Sequence, residues 1–488
     1  MAIILVYSEV KMKPWVRTSL FSLLSLIVVM NSVSLGFMPT RPLNGFALLG
    51  WNSAQNSLTY TVDRLTDNGS DGIGEGAGLT GDLRYAITNA QSEDNIIFSV
   101  SGEIKLLRAL PILTQDISIG GVDGSTVRGS GGSVFFVDSG ASIVFSNLTI
   151  TGGTGNGGGI FNSGTLILNN VTVRGNKAGD PTNGGGTGAG IWNNTNGILT
   201  LNNSTVSGNT VLGSSFYNPS RGGGIANYGT LTLNNSTVSG NSASEGSGGG
   251  ISNTLPTSIM TLNNSTISGN SAVGVIGIGG GIDNHGTLNI INSILASNTK
   301  DDFRGVFISQ GHNLIGNTTG GSGFRLDLGD LLNVNPLLDS LKNNGGLTQT
   351  HALLTGSPAI DQGDNAGCPQ TDQRGYSRPV DGDGNDGNGV AVCDIGAYEF
   401  DGIPSAATAT QNPVESLTPT ITPSVASTNT PSPTLTFTQE PVSTTPTPTV
   451  PATPTSTPAP PALPCSGAAL LLVTIVLLMY SSSKQIYR

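Results

Sequence analysis

LTLNNSTVSGN at residues 199–209 decides the fold. The phrase returns as LILNNVTVRGN at 166–176, LTLNNSTVSGN at 231–241, MTLNNSTISGN at 260–270 and LNIINSILASN at 288–298. A weaker copy, IVFSNLTITGG, begins at Ile143. Self-similarity at about 23–33 residues marks a solenoid, in which each unit buries its apolar face only against its neighbours. Leu166, Leu199, Leu231, Met260 and Leu288 align, as do Leu168, Leu201, Leu233, Leu262 and Ile290. Alternation along a strand puts both columns on one face, where they stack as a core. Val173, Val206, Val238, Ile267 and Leu295 form a third inward column. Each unit holds several short strands and no helix-length periodic run. The expectation is an all-β chain, a parallel β-helix with one unit per coil across 143–300.

The asparagines are columnar too. Asn170, Asn203, Asn235, Asn264 and Asn292 align, and so do Asn162, Asn193, Asn227, Asn253 and Asn284 after each GGGI element. A corner Asn can bond its neighbours above and below, and it tolerates left-handed backbone angles. The expectation is a structural ladder, with glycosylation at the N-x-S/T sequons as the competing reading. Inserts such as KAGDPTNGGGTGA and TVLGSSFYNPSRG all leave from one corner, which makes that edge a natural ligand-binding edge.

The flanking segments read differently. Lys11, Lys13 and Arg17 precede the apolar run Leu20–Val29, so 1–48 reads as an export signal or N-terminal anchor. Residues 57–142 hold an N-terminal cap and first coils. There SLTYTVDRL alternates as a strand, and GDLRYAITNAQ sets Leu83, Ala86, Ile87 and Ala90 at helical spacing behind Asp82 as N-cap. A short helix of that kind can cover the first apolar layer. Residues 301–402 read as C-terminal coils and a closing cap. Residues 403–464 are rich in Pro, Thr and Ser and read as a disordered linker. Residues 465–488 carry the apolar run Ala468–Tyr480, short for a spanning helix of about 20 residues.

Composition narrows the function classes. The 488 residues include 70 glycines, only 10% are charged, and the formal charge is −11. That balance argues against a nucleic-acid partner, and the chain reads as a monomer. In an exported chain a Cys368–Cys393 disulfide is expected, with two unpaired thiols as the alternative. The turn containing Asp381, Asp383, Asn385 and Asp386 offers the alternating oxygen ligands that calcium takes. Asp386 stands where an EF-hand loop needs Gly, so a structural calcium, or simply an acidic turn, is the expectation. No catalytic residue is assigned. Asp301-Asp302 with Gly311-His312 has the outline of a polygalacturonase site, whose carboxylates stand about 6.5–9.5 Å apart. The companion Asn-Thr-Asp and Arg-x-Lys elements are missing. A lyase wants a basic residue beside acidic calcium ligands, whereas Arg174, Lys177, Arg221 and Glu245 are scattered. Outward Thr200, Thr232 and Thr261, beside Ile167 and Asn289, read as a solvated β face rather than an ice-binding array.

Two stretches carry a resemblance. SLTYTVDRLTDNG with GDLRYAITNAQSEDNIIF resembles the CSLREA domain of bacterial surface β-helix proteins. Leu83, Arg84, Ala86 and Ile87 match it, while Gly81, Asp82 and Tyr85 depart from it. NNGGLTQTHALLTGSPAIDQG, DQRGYSRP and CDIGAYEF, from Asn343 to Phe400, are similar to the end of the choice-of-anchor Q domain. The GGGI and GN repeats are similar to polymorphic outer-membrane-protein repeats. Leu463, Pro464, Cys465, Ser466 and Gly467 are similar to an LPxTG sorting signal, with Ser466 in place of Thr. The resemblance implies a right-handed, pectate-lyase-like β-helix, anchored on a bacterial cell surface through its C-terminus, and implies no activity. The functional expectation is therefore a non-catalytic surface protein with a structural, adhesive or glycan-binding role and a glycan or surface protein as partner. The alternative is a polysaccharide lyase or hydrolase of the pectate-lyase-like class.

Overall fold

The computed structural model describes residues 57–68, 72–180, 185–213, 220–275, 277–382 and 389–404. The expected export signal, the linker from 405 onward and the sorting signal at Leu463, Pro464, Cys465, Ser466 and Gly467 lie outside them. Among the described residues, no helix is long and apolar enough to cross a membrane.

One coil shows the plan. Ile198–Asn202 is a strand of sheet 1, Thr205–Ser207 of sheet 2 and Ile225–Asn227 of sheet 3, after which Thr230–Asn234 returns to sheet 1. Sheet 1 has 12 strands, sheet 2 has 10 and sheet 3 has 8. Coils pair in parallel without slippage: Leu199 lies opposite Leu166 and Leu231, Val206 opposite Val173 and Val238, and Ile225 opposite Ile191 and Ile251. This is a parallel β-helix.

The register follows from burial. A slip of one residue would turn every inward Leu to solvent. Leu166, Leu199, Leu231 and Met260 have no exposed surface, and Leu288 has 1%. A fourth apolar column, Ile160, Ile191, Ile225, Ile251 and Ile282, lines sheet 3. Outside it, Phe136, Phe161, Trp192 and Tyr228 form a ring stack, with successive centroids 4.5, 4.8 and 5.9 Å apart.

The N-terminal opening is closed by helix α1, Leu83–Asn89. The Asp82 carboxylate caps it, accepting from Tyr85 N at 2.7 Å and from Glu75 N at 2.9 Å. Leu83, Ala86 and Ile87 face the first coil and are buried. Arg84 is buried as well, and pairs with buried Asp67 at 2.7 Å. Its remaining donors reach Ala109 O and Arg108 O, so no charged donor is stranded. At the other end Phe303, Phe307 and Phe324 meet edge to face.

Polar ladders run through the interior. Asn162 Nδ2 donates to Asn193 Oδ1, Asn193 to Asn227, Asn227 to Asn253 and Asn253 to Asn284, at 2.7–2.8 Å. A second ladder uses the Asn of each Gly-Asn ending: Asn176, Asn209, Asn241, Asn270 and Asn298. In it each backbone N–H bonds the same Oδ1 as the amide below, as Asn209 N does to Asn241 Oδ1 at 3.0 Å. The ladder ends on Asp302, whose Oδ1 accepts from Asn298 N and Nδ2 and needs no donor of its own. A serine ladder, Ser204, Ser236, Ser265 and Ser293, lies at the corner between sheets 1 and 2.

The column Asn170, Asn203, Asn235, Asn264 and Asn292 departs from the expected ladder. All five sit in left-handed backbone, with φ between 45 and 54°. Their side chains make no bond to one another. At a left-handed corner the side chain leaves the coil outward, and Asn235 and Asn292 bond the C-terminal segment instead.

These roles separate by mutation. Asn241→Ala removes a buried amide from the centre of a ladder and leaves its neighbours unpaired, and should cost about 3 kcal/mol. Asn203→Ala puts a residue that disfavours left-handed backbone at such a corner and should cost about 1 kcal/mol, with Asn203→Gly near neutral. Denaturant titration of the three variants checks this order; equal losses at both positions would contradict it.

Candidate functional site

After the last coil the chain turns back along the outside of sheet 2. That face is made of small hydroxyl residues, Thr205, Thr237, Thr266 and Ser239, all buried. Small side chains let a second layer of backbone approach, and their hydroxyls satisfy it. Thr205 Oγ1 donates to Gln349 O at 2.7 Å, and Thr237 Oγ1 donates to Gln373 Oε1 at 2.6 Å. Gln373 Nε2 donates to Thr205 Oγ1 and Thr348 Oγ1, both at 2.8 Å. Ala397 N donates to Thr266 Oγ1. His351 sits between Ser239 Oγ at 2.8 Å and Asp339 O at 2.6 Å, an arrangement that suits one N–H and one lone pair.

The motifs of this segment hold it together. Arg378 pairs with Glu399 at 2.8 Å, both without exposed surface in their side chains. Arg374 pairs with Asp372 and lies between the rings of Tyr376 and Tyr398, 4.0 and 3.6 Å from their centroids. Asp394 accepts from Asp361 N and Phe400 N. Burial and the neighbouring Glu399 push the Asp394 carboxyl up to about 8. Burial holds the His351 imidazole below its usual range. Cys368 and Cys393 form a disulfide with Cα atoms 6.4 Å apart, tying both ends of the intervening turn to this layer.

Sequence-selected residues meet at one place. Asn235 Nδ2 donates to Thr371 O at 2.9 Å. Asn292 exchanges two bonds with the backbone of Asp364, at 2.9 and 2.8 Å. With its amide turned so that both atoms meet complementary partners, Asn264 donates to Gly367 O at 3.0 Å and accepts from Arg378 at 3.2 Å. Where these corners meet the disulfide turn, a groove of about 370 Å³ opens, lined by Asn234, Asn235, Asn263, Asn264 and Ala366 to Pro369. Its floor borders an outward amide ladder on sheet 1, in which Asn202 donates to Asn169, Asn234 to Asn202 and Asn263 to Asn234, at 2.8–2.9 Å. Asn263 Oδ1 ends that ladder and receives no donor among the described residues, because Ile291 occupies the next rung. The repeated Asn-Asn of the sequence marked this rank. The wall opposite comes from residues about 100 positions away and no repeat announces it.

The other candidates disperse. Asp302 is buried as the end of the inner ladder, and burial raises its carboxyl above the ordinary range. His312 lies elsewhere, with Nδ1 2.8 Å from Gln362 O. Asp302 and His312 thus serve separate structural contacts. Asp381 is described, while Asp383, Asn385 and Asp386 of the expected calcium turn lie outside the described residues.

No family model matches the chain, and no curated protein matches it. Among solved structures it is similar to the crystal structure of pectate lyase Pel9A, at 12% identity and a TM-score of 0.32, covering 71% of this chain and 98% of that one.

The titrations predict opposite pH effects. Asp394 ionises near 3.8 when unfolded and near 8 when folded. Its contribution to stability is therefore complete below pH 4 and is lost as pH rises through 8. His351 contributes above its unfolded value of 6.5 and loses that contribution on acidification. Melting temperature should fall as pH rises from about 6.5 to about 8 and level off above that, and Asp394→Asn should flatten this fall. An unchanged alkaline slope in the variant would remove Asp394 as its source. Reducing the disulfide should cost about 3 kcal/mol, from the loop it closes, measurable by calorimetry with and without reductant.

Proposed function

We propose that this protein is a non-catalytic β-helix displayed on the cell surface, which binds neutral glycans in the groove beside the disulfide turn. The observation that carries this reading is the lining: side-chain amides on one wall, a fixed turn on the other, and a ladder end with an acceptor still open. Amides give and accept hydrogen bonds without charge, which suits sugar hydroxyls. Four buried carboxylates have structural work here. Asp302 ends a ladder, and Asp372, Asp394 and Glu399 hold the outer layer. Export, anchoring at the envelope through the C-terminus and a structural calcium at Asp381 to Asp386 belong to this same proposal. Anchoring is supported by the resemblance of the chain to surface-anchored β-helix proteins, export by Lys11, Lys13 and Arg17 before the apolar run Leu20–Val29, and calcium by the alternating oxygen ligands of Asp381, Asp383, Asn385 and Asp386.

The test is a glycan array probed with the full chain, run with calcium and with chelator. Binding to neutral oligosaccharides is expected, weakened by about tenfold in Asn263→Ala, the loss of one or two hydrogen bonds. Release of reducing ends or unsaturated products from a polysaccharide panel would overturn the non-catalytic reading. Binding that Asn263→Ala leaves intact would move the site elsewhere.

A further inference from the structure

Sheet 2 changes character along its length. From Thr205 onward its outer face is made of small hydroxyl residues, and the C-terminal segment lies on them. The strands before that, Glu103–Lys105, Thr126–Arg128, Thr149–Thr151 and Thr172–Arg174, carry long side chains as well. Their outward residues form two ranks in register. One is Glu103, Thr126, Thr149 and Thr172, and the other is Lys105, Arg128, Thr151 and Arg174. The second rank passes from Arg174 to Ser207, so the bases stop where the covering layer begins.

Charge distinguishes this face. The chain has 20 Lys and Arg against 31 Asp and Glu, yet Lys105, Arg128 and Arg174 stand exposed on one line along the solenoid axis. In the sequence they are scattered over separate units, and only the coiling aligns them. Lys105 and Arg174 form no ion pair among the described residues. Arg128 has Glu103 at 3.7 Å with both side chains 48% exposed, a contact that water screens. Glu103 and exposed Asp123 belong to the margin next to sheet 1, where each strand begins. Exposed Lys177 extends the opposite, basic margin, and Asp180 beyond it is already engaged. Arg128 leans along the axis: a Cβ on Gly152, one coil on, would lie 2.9 Å from its Cγ and 3.5 Å from its Nε. Its side chain thus reaches over the next coil, where Thr151 is buried between the two arginines.

A line of bases suits a polymer whose own charges recur better than it suits a single ion. Arginine forks take carboxylate or sulfate oxygens in pairs. Thr126 and Thr149, half-buried beside the line, offer hydroxyls to the hydroxyls of sugars. Neither rank holds an aromatic ring, so a nucleic-acid base has nothing to stack upon. Neither holds an aliphatic residue that would enter a membrane.

We propose that the uncovered part of sheet 2 binds an acidic polysaccharide, laid along the solenoid axis with its anions on Lys105, Arg128 and Arg174. The amide-lined groove draws on Asn234 to Asn264, several coils further on, so failure of the neutral-glycan assay leaves this inference standing.

The experiment uses the full chain with dextrans of one backbone: neutral dextran, carboxymethyl dextran and dextran sulfate. Calorimetry should show binding to a charged dextran, weakening with added salt, and none to neutral dextran. Which charged dextran binds tells carboxylate from sulfate as the anion. Arg128→Gln with Arg174→Gln removes charge and keeps polar side chains, and should weaken binding by about tenfold. Arg304→Gln, which removes an exposed charge from sheet 3, should leave it unchanged, as should Asn263→Ala. Circular dichroism of each variant confirms the fold. The proposal is overturned if neither charged dextran binds, if the double variant binds like wild type, or if Arg304→Gln weakens binding equally. Tighter binding of oligodeoxythymidylate than of either charged dextran would assign the face to nucleic acid and overturn it as well.

Discussion

Everything in this structure depends on satisfying the polar groups of a coil that turns sharply while its interior stays dry. Sheet hydrogen bonds account for the strands, but each corner leaves N–H and C=O groups pointing where water cannot go. The inner asparagine ladders meet that constraint. An amide has one donor side and one acceptor side, so identical residues stacked one coil apart can bond end to end. Asn241 shows the arrangement: its Nδ2 reaches Asn270 Oδ1 and Val206 O, while its Oδ1 accepts from Asn209 N and Nδ2. The Gly before it, Gly240, takes a φ of 65°, which lets the chain turn without a side chain in the way. The glycines of the GGGI element meet a stricter limit. A Cβ on Gly223 would lie 2.3 Å from Gly249 O, so the coils can stack there only on glycine.

A ladder must also stop. The Asn176 to Asn298 ladder stops on a carboxylate, Asp302, which only accepts. The end at Asn284 turns to a backbone carbonyl, Val306 O. These endings explain why acidic residues appear near 302 and 330 in an otherwise weakly charged body. Asp330 does for Asn313 what Asp302 does for Asn298. Carboxylates spent this way resemble a catalytic pair in the sequence and act as terminators in the fold.

The repeat makes most of the solenoid legible. Aligned Leu and Val columns show which residues point inward, and helical spacing after Asp82 marks the cap at the first coil. The outer layer is harder to see. Its contacts join Gln373 to Thr205 and Asp364 to Asn292 across long stretches of chain, and long-range pairing of this kind leaves no period in a sequence. The corner asparagines take the left-handed backbone that their spacing suggests, but their partners are not one another. Periodicity locates a column; it does not say whether the side chain meets its own column or another segment. The open groove shares that difficulty, since one wall is repeat and the other is not.

The central claim is that the C-terminal segment and the polar ladders form one cooperative structure. Native-state hydrogen exchange on the full chain tests it most directly. The account predicts that the backbone amides of Asn209, Asn241 and Asn270 exchange in the slowest class, together with those of Thr205, Thr237, Asp394 and Glu399. If the amides of Asp394 and Glu399 exchange fast while the ladder amides stay protected, the outer layer opens on its own and the claim fails.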